Sequence, residues 1–311
     1  MAYESEYSWD DIVPIDQEDG KNPLAAIAYL EPYKVAMAYL RAVMAVEEFS
    51  ERALQLTEDL IMMNPAHYTV WTYRTRILFA LNKDLEQELL WIEKISKKFP
   101  KNYQVWNHRE VILDKHEDPV RELSYTAEML DLDTKNYHVW AYRKWVVKRF
   151  GLWFSEMQYT DSMIDRDVRN NSAWNHRFYV FFGQNNVPEQ YEVDEEILYV
   201  KNAILRAPQN ASAWNYFLGL LKQTKRSITD IEDFCTSLAK LPSTVTALDI
   251  GVDTMTSAPA LAVLADIYVA KLEFEKASEA WTLLSETYDP IRENYWQYKK
   301  ARSLEKASIA E

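Results

Sequence analysis

Backbone breakers are scarce in this chain of 311 residues: Gly occurs 5 times and Pro 11 times, too few for a turn-rich β architecture and suited to helices. A single cysteine, Cys235, excludes an internal disulfide, and no Cys/His cluster has zinc spacing. No apolar run approaches the roughly 18 residues needed to span a bilayer. The start, Met1-Ala2-Tyr3-Glu4-Ser5-Glu6, is acidic where a signal or transit peptide carries positive charge, so a cytoplasmic location is expected. There is no Gly-rich phosphate loop and no Gly-x-Ser-x-Gly, and Cys235 has no companion motif that marks a nucleophile. Positive charge is in deficit as well. Against 48 Asp+Glu stand 35 Lys+Arg, and the resulting net charge of −13 repels a phosphate backbone at long range, which disfavours nucleic-acid binding.

What the chain does have is a repeated phrase. Trp71, Trp106, Trp140, Trp174 and Trp214 follow one another at steps of 35, 34, 34 and 40. Asn102, Asn136, Asn170 and Asn210 stand four residues ahead of the last four, with His67 in that place before Trp71. Arg74, Arg109, Arg143 and Arg177 stand three residues after the first four, and Phe217 takes that place after the fifth. A fixed period of this size is the mark of helical-hairpin arrays. With 48% hydrophobic residues the chain can bury a large core.

One unit shows the construction. Asn102 can cap a helix in which Val105, Trp106, Arg109, Val111, Ile112 and Leu113 recur at mostly helical spacing. Asp118-Pro119 reads as a capping acid with Pro at the first position of a second helix, carried by Leu123, Ala127 and Leu130 and closed near Asp131 to Thr134. Lys83-Asp84 and Phe154-Ser155-Glu156 mark second-helix starts in the flanking units. Neither helix can hide its apolar stripe alone, so the pairs must stack into a curved array with a concave face.

Trp and Arg three apart share a helical face. The five Trp residues read as interhelical packing. The Arg residues read first as structural, since a residue repeated in every unit is better explained by the stack than by one site. The acids lie between units and at the front, as in Glu4 to Asp19, which leaves a basic rim on an acidic molecule expected from the Arg and Lys of the Trp segments. His67, His108, His116, His138 and His176 read mostly as positional features of the repeat. An extended arm is expected over residues 1–32 and a helical-repeat domain over 33–311. Its units fall near 64–97, 99–132, 133–166, 167–206 and 207–240, with a degenerate hairpin over Tyr33 to Asn64 and a partial copy near 291–305. The stretch from Leu241 to Pro259 breaks the period and is expected to loop out.

Pro100 to Arg109, Lys135 to Trp140 and Asp167 to Asn175 resemble the repeats of protein prenyltransferase α subunits, in particular the branch shared by protein farnesyltransferase and geranylgeranyltransferase type I. The arm from Trp9 to Gly20 with Pro23, and the tail from Ile291 to Trp296, fit that branch too, so the resemblance covers nearly the whole chain. It implies an all-α, right-handed superhelix of helical hairpins forming a crescent around a β subunit. It also implies transfer of a farnesyl or geranylgeranyl group from its diphosphate to the Cys of C-terminal CaaX sequences, on proteins such as small GTPases. Zinc held by the β subunit and magnesium are the implied metals, none of them bound by this chain, which alone is then inactive.

By motif position the resemblance places Lys135 and Tyr137 at the isoprenoid diphosphate as catalytic and binding residues, with Asn170 also near it. Tyr103, and less directly Gln104 and His138, fall to the CaaX peptide. An ammonium and a phenol offer a developing diphosphate charge fixed positive charge and a donor. Two other readings stay open. One is the α subunit of Rab geranylgeranyltransferase, against which the arm weighs. The other is a non-catalytic tetratricopeptide-like scaffold, whose Trp-x-x-Leu-Gly-x-x-Tyr pattern is absent.

Overall fold

The computed structural model describes residues 6–18, 20–25, 27–183, 188–242 and 256–310, except the side chains of 304 and 306–310. Among them the regular structure is helical, with no strand. Two compact units divide the chain, Met1–Leu152 and Trp153–Glu311.

The first unit holds α1 (Glu31–Ala45), α2 (Glu51–Met63), α3 (Tyr68–Ala80), α4 (Leu85–Lys98), α5 (Tyr103–His116), α6 (Glu122–Leu132) and α7 (Tyr137–Phe150). The Trp-bearing helices α3, α5 and α7 pack side by side, and each lies tightest against the helix before it: α2 with α3, α4 with α5, α6 with α7. The units drawn from sequence near 64–97, 99–132 and 133–166 pair each Trp helix with the helix after it. The packing phases the hairpins half a unit earlier.

The indoles explain that phasing. Trp71, Trp106 and Trp140 are buried and each donates Nε1–H to the carbonyl six residues back, of Pro65, Pro100 and Thr134, at 2.8, 3.0 and 2.9 Å. Each bond closes the turn that joins a Trp helix to its predecessor. The second unit repeats it from Trp174 to Val168 and from Trp214 to Pro208 at 2.8 and 2.9 Å. Caps fix the helix starts: Asn102 and Asn136 accept from the amides two and three residues on, and Asp84 does the same for α4. Gly151, at φ +70°, ends α7 in the left-handed conformation that Gly adopts freely.

Asp118 does not cap α6. Its carboxylate accepts from Val120 N at 3.0 Å, Glu122 N donates to Pro119 O at 2.9 Å, and the helix starts only at Glu122. An Asp-Pro pair serves a turn as readily as a helix start, and Glu117, at φ +63°, has already turned the chain out of α5. Likewise α8 starts after Ser155 without a bond from the Ser hydroxyl.

The recurring Arg residues are buried and so do not contribute to the basic rim expected from sequence. Arg74 Nε and Nη2 meet the two oxygens of Glu88 at 2.8 and 2.7 Å, and Arg109 meets Glu122 at 2.8 and 2.6 Å. Each pair joins a Trp helix to the first helix of the next hairpin in a bidentate geometry that a Lys cannot supply. The remaining nitrogen, Nη1, donates to a carbonyl 20 residues back, Leu54 for Arg74, Leu89 for Arg109 and Leu123 for Arg143. The guanidiniums of Arg74 and Arg109 stack on Trp91 and Tyr125, each at 4.0 Å. Glu88 also takes a bond from His108 Nε2 at 2.8 Å, and Glu122 one from the Tyr142 hydroxyl at 2.7 Å. Arg76 and Arg149, at the surface, are paired with Glu47 and Asp114.

The arm lies on α1 and α2. Trp9 is buried edge-on against Tyr39, at 5.3 Å between centroids, and Arg52 covers its ring while gripping Asp11 at 2.6 and 2.8 Å. Ile15 exchanges backbone contacts with this surface through Ala38 O and Arg41 Nε. Part of the acidic front, Glu4 to Asp19, lies outside the described residues.

The second unit holds α8 (Glu156–Arg166), α9 (Asn171–Gly183), α10 (Gln190–Arg206), α11 (Ala211–Gln223), α12 (Glu232–Leu238), α13 (Ala258–Ala270), α14 (Phe274–Leu283) and α15 (Glu293–Ala310). Arg177 grips Glu196 at 2.6 and 2.7 Å and stacks on Tyr199, Tyr216 donates to Glu196, and His176 Nε2 lies 2.7 Å from Glu156. Residues 243–255, most of the stretch expected to loop out, lie outside the described residues. Pro259 does not belong to a loop: it sits in the first turn of α13, which Ser257 caps through Ala260 N. Trp296 in α15 stacks on Trp281 at 5.7 Å and donates to the Asp289 carboxylate, so the partial copy does not repeat the carbonyl bond.

Breaking one partner of a buried ion pair strands the other charge, at about 3–5 kcal/mol. Arg109→Met is expected to lower the stability of the first unit by that order, and Arg109→Met with Glu122→Leu to recover most of the loss. Urea unfolding followed by tryptophan fluorescence measures both, and a double variant less stable than the single one would sink the expectation.

Acid should loosen the same network. Burial works to raise the Glu88 carboxyl, but the bonds from His108 and Arg74 outweigh it and hold the group at about 2. Its stabilising share is therefore complete above the ordinary 4.5 and is lost as the pH falls towards about 2. Burial, opposed by Glu88, holds His108 below its ordinary 6.5, so protonation favours the unfolded chain as the pH falls below that value. The neutral ring donates Nε2–H to Glu88 and turns Nδ1 to the Thr75 hydroxyl at 3.1 Å. Urea midpoints should fall in two stages on acidification from pH 7 to pH 3, and Glu88→Gln should flatten the lower stage.

Candidate functional site

The starts of α5 and α7 bring most of the sequence-predicted residues together. Asn102 and Asn136 use their side chains as caps, so the following residue begins the helix and points away from it. Those residues are Tyr103 and Tyr137, 66% and 67% exposed. One position on, Gln104 and His138 are half-buried, and Lys135 is exposed just ahead of the α7 cap.

Stacking of the Trp helices sets the spacing between these residues. The Tyr103 ring meets the His138 ring edge to face at 4.3 Å, and Tyr137 approaches the same imidazole at 5.5 Å. Asn136 Nδ2 donates to Pro100 O at 3.1 Å, the carbonyl that also accepts from Trp106. At the surface Lys101 pairs with Asp133 at 3.2 Å, and Asp133 accepts from the Lys135 amide at 3.3 Å. Burial depresses the His138 imidazole below its ordinary 6.5, which keeps it neutral near pH 7.

Asn170 belongs to the second unit. It is 1% exposed, and its carboxamide oxygen accepts from Ser172 N and Ala173 N at 3.0 and 3.3 Å, so it caps α9 as Asn102 caps α5.

With the helix-start amides taken by the Asn caps, the cluster offers two phenols, an ammonium, a neutral imidazole and the carboxamide of Gln104. These are groups that bind and orient an anion or a peptide end. Cys235 is buried, and burial pushes its thiol up to about 12, which disfavours the reactive thiolate. Among the described residues no three His, Cys, Asp or Glu side chains are placed to hold a metal ion, and no helix is long and apolar enough to cross a membrane.

Sequence reasoning missed Glu88, Glu122, Glu156 and Glu196, the acceptors of the buried network. A signal was present. Each stands 20 residues ahead of the His or Tyr that bonds to it, and that His or Tyr always follows the repeat Trp by two.

Fold and cluster together define a helical-hairpin repeat protein with its polar surface residues gathered at successive helix starts. Residues 50–81, 85–116, 119–150, 153–183 and 193–224 match the protein prenyltransferase alpha subunit repeat. The chain is 40% identical over 306 residues to the protein farnesyltransferase/geranylgeranyltransferase type-1 subunit alpha of Candida albicans, covering 95% of this chain and 97% of that one. It is 55% identical over 219 residues to the subunit of the same name from Schizosaccharomyces pombe, covering 70% and 74%. Among solved structures, Candida albicans protein geranylgeranyltransferase-I complexed with GGPP matches with a TM-score of 0.88 at 40% identity, covering 96% of this chain and 100% of that one. The chain belongs to the protein prenyltransferase α-subunit family.

Removing the Tyr103 ring should expose His138 to water. In Tyr103→Ala the imidazole is expected to titrate closer to its ordinary value than in the unsubstituted chain, as read from its ring-proton NMR shifts against pH. An unchanged or lower midpoint would show that Tyr103 does not provide the burial.

Proposed function

We propose that this chain is the α subunit shared by protein farnesyltransferase and protein geranylgeranyltransferase type I. In the heterodimer with a β subunit it supports transfer of a farnesyl or geranylgeranyl group from the diphosphate to the cysteine of a C-terminal CaaX sequence. The observation that carries this reading is end-to-end likeness, in sequence and in fold, to one relative of that name and one solved enzyme. Neither the Rab geranylgeranyltransferase subunit nor a tetratricopeptide scaffold has an observation of that extent behind it.

The division of labour is taken from the family likeness, which assigns zinc and thiolate activation to the β subunit and magnesium to the diphosphate. Lys135 and Tyr137 are assigned to the diphosphate. An ammonium and a phenolic O–H held by a capped helix start stabilise the charge that grows on the leaving group, at little cost in reorganisation. Tyr103, Gln104 and His138 are assigned to the end of the acceptor peptide, which a neutral imidazole and a carboxamide can meet through hydrogen bonds. Asn170 is assigned to the diphosphate as well, and its cap bonds fix it at the start of α9. The heterodimer is placed in the cytoplasm, acting on proteins such as small GTPases.

Co-expression with each type of β subunit and assay with both isoprenoid diphosphates tests the proposal. Transfer to a CaaX peptide is expected only from the assembled pair. Lys135→Ala is expected to slow single-turnover transfer by about 10²-fold, the scale of one lost electrostatic donor, while subunit association changes little. Equal single-turnover rates would remove Lys135 from the reaction.

A further inference from the structure

Asn136 lies between two residues assigned to substrate, Lys135 and Tyr137, yet its side chain faces the other way. It is 3% exposed, and both ends of its carboxamide are engaged. Oδ1 caps α7 through His138 N and Val139 N at 2.9 and 3.3 Å. Nδ2 reaches back to Pro100 O at 3.1 Å, in the turn ahead of α5. That carbonyl also receives Trp106 Nε1–H at 3.0 Å, so both of its lone pairs are used. A single amide thus ties the segment carrying Lys135 and Tyr137 to the segment carrying Tyr103 and Gln104.

We infer that Asn136 is a positioning residue for prenyl transfer, setting the separation between the diphosphate-facing and the peptide-facing residues of this chain. The inference rests on the proposed function. Two weaker ties parallel it, the exposed Lys101–Asp133 pair and the Tyr103–His138 ring contact. An exposed ion pair contributes little, and a ring contact allows sliding. The buried amide alone joins backbone to backbone through one short, rigid side chain, and the cap orients it. A shift of about 1 Å between groups that act on one reaction is enough to cost up to 10²-fold in rate.

The structure supplies its own control. In the second unit Asn210 makes the same bridge: Nδ2 donates to Val168 O at 2.6 Å, the carbonyl that accepts Trp174 Nε1, and its oxygen caps α11 through Ser212 N. Its far end carries Asn170, but Gln209, Ala211 and Ser212, beside Asn210, include no residue assigned to substrate, so this bridge does not join a diphosphate-facing to a peptide-facing segment. If the bridge matters only for the stack, the two positions should behave alike.

Asn136→Asp keeps the shape and the capping oxygen but loses the donor, and sets a carboxylate against Pro100 O. Asn136→Ser keeps the cap and shortens the reach, which secures the test should the aspartate variant fold poorly. Both are compared with Asn210→Asp and Asn210→Ser in the complex with the β subunit. All four should lose thermal stability to a similar degree. Only the Asn136 variants should raise the peptide KM by about tenfold and narrow the discrimination between CaaX peptides that differ in their last residue.

Amide hydrogen exchange on the same complexes reads the bridge without activity. Loss of Asn136 Nδ2 should speed exchange at residues 101–105 as well as 136–140, because the tie is shared. Exchange that changes only at 136–140, or kinetics that shift equally for the Asn136 and Asn210 variants, would overturn the inference and leave Asn136 a cap. A complex with normal exchange behaviour but no transfer activity in the unsubstituted form would count against the proposed function, while exchange would still decide the bridge.

Discussion

The bidentate bond from a buried Arg to a buried Glu on the next hairpin is the interaction on which the rest of the first unit depends. Apolar packing between helices tolerates sliding; a planar guanidinium held by two oxygens does not. With Arg74 on Glu88 and Arg109 on Glu122, each hairpin is locked to its successor in one register. The desolvation cost is offset by saturating the partners: the spare Arg nitrogen finds a carbonyl, an aromatic ring covers the guanidinium, and the Glu takes a further bond from His108 or Tyr142. Because the helices are locked, their starts are locked, and the surface cluster inherits its spacing from charges that no substrate reaches.

Much of this was legible from residue order. Trp at a fixed period, an Asn four residues earlier and few breakers leave little besides stacked helical hairpins. Stacking then places one position next to its equivalent one period on, which is why Tyr103 and His138, near-equivalents in adjacent repeats, meet. The Arg residues were legible as structural but not as buried, because their acid partners lie at varying distances along the chain. Asp118-Pro119 misled because the same dipeptide serves a turn and a helix start, and only the left-handed Glu117 before it decides between them. The hairpin phase was hidden as well, since a periodic signal gives the length of a unit without saying where it begins.

The candidate site was legible only through resemblance. Nothing in the residue types around Lys135 separates it from Lys101, one period earlier and also exposed at a helix start. What the fold adds is the contrast between neighbours: Asn136 turns inward to hold the backbone, and the residues on either side of it are left facing outward.

The steps between equivalent residues carry one more consequence. From the acidic residue to the His or Tyr that bonds to it the count is 20 in all four cases, whereas from an Arg forward to its Glu it is 14, 13 and 19. The long step of 40 between Trp174 and Trp214 is thus taken up wholly between Arg177 and Glu196, while the Trp214 indole still finds its carbonyl six residues back. Chain length is quantised from each acid to its His or Tyr and variable from each Arg to its Glu. Insertions, tags or new recognition loops can therefore accumulate between a Trp helix and the hairpin that follows it without disturbing the closure of the Trp turn.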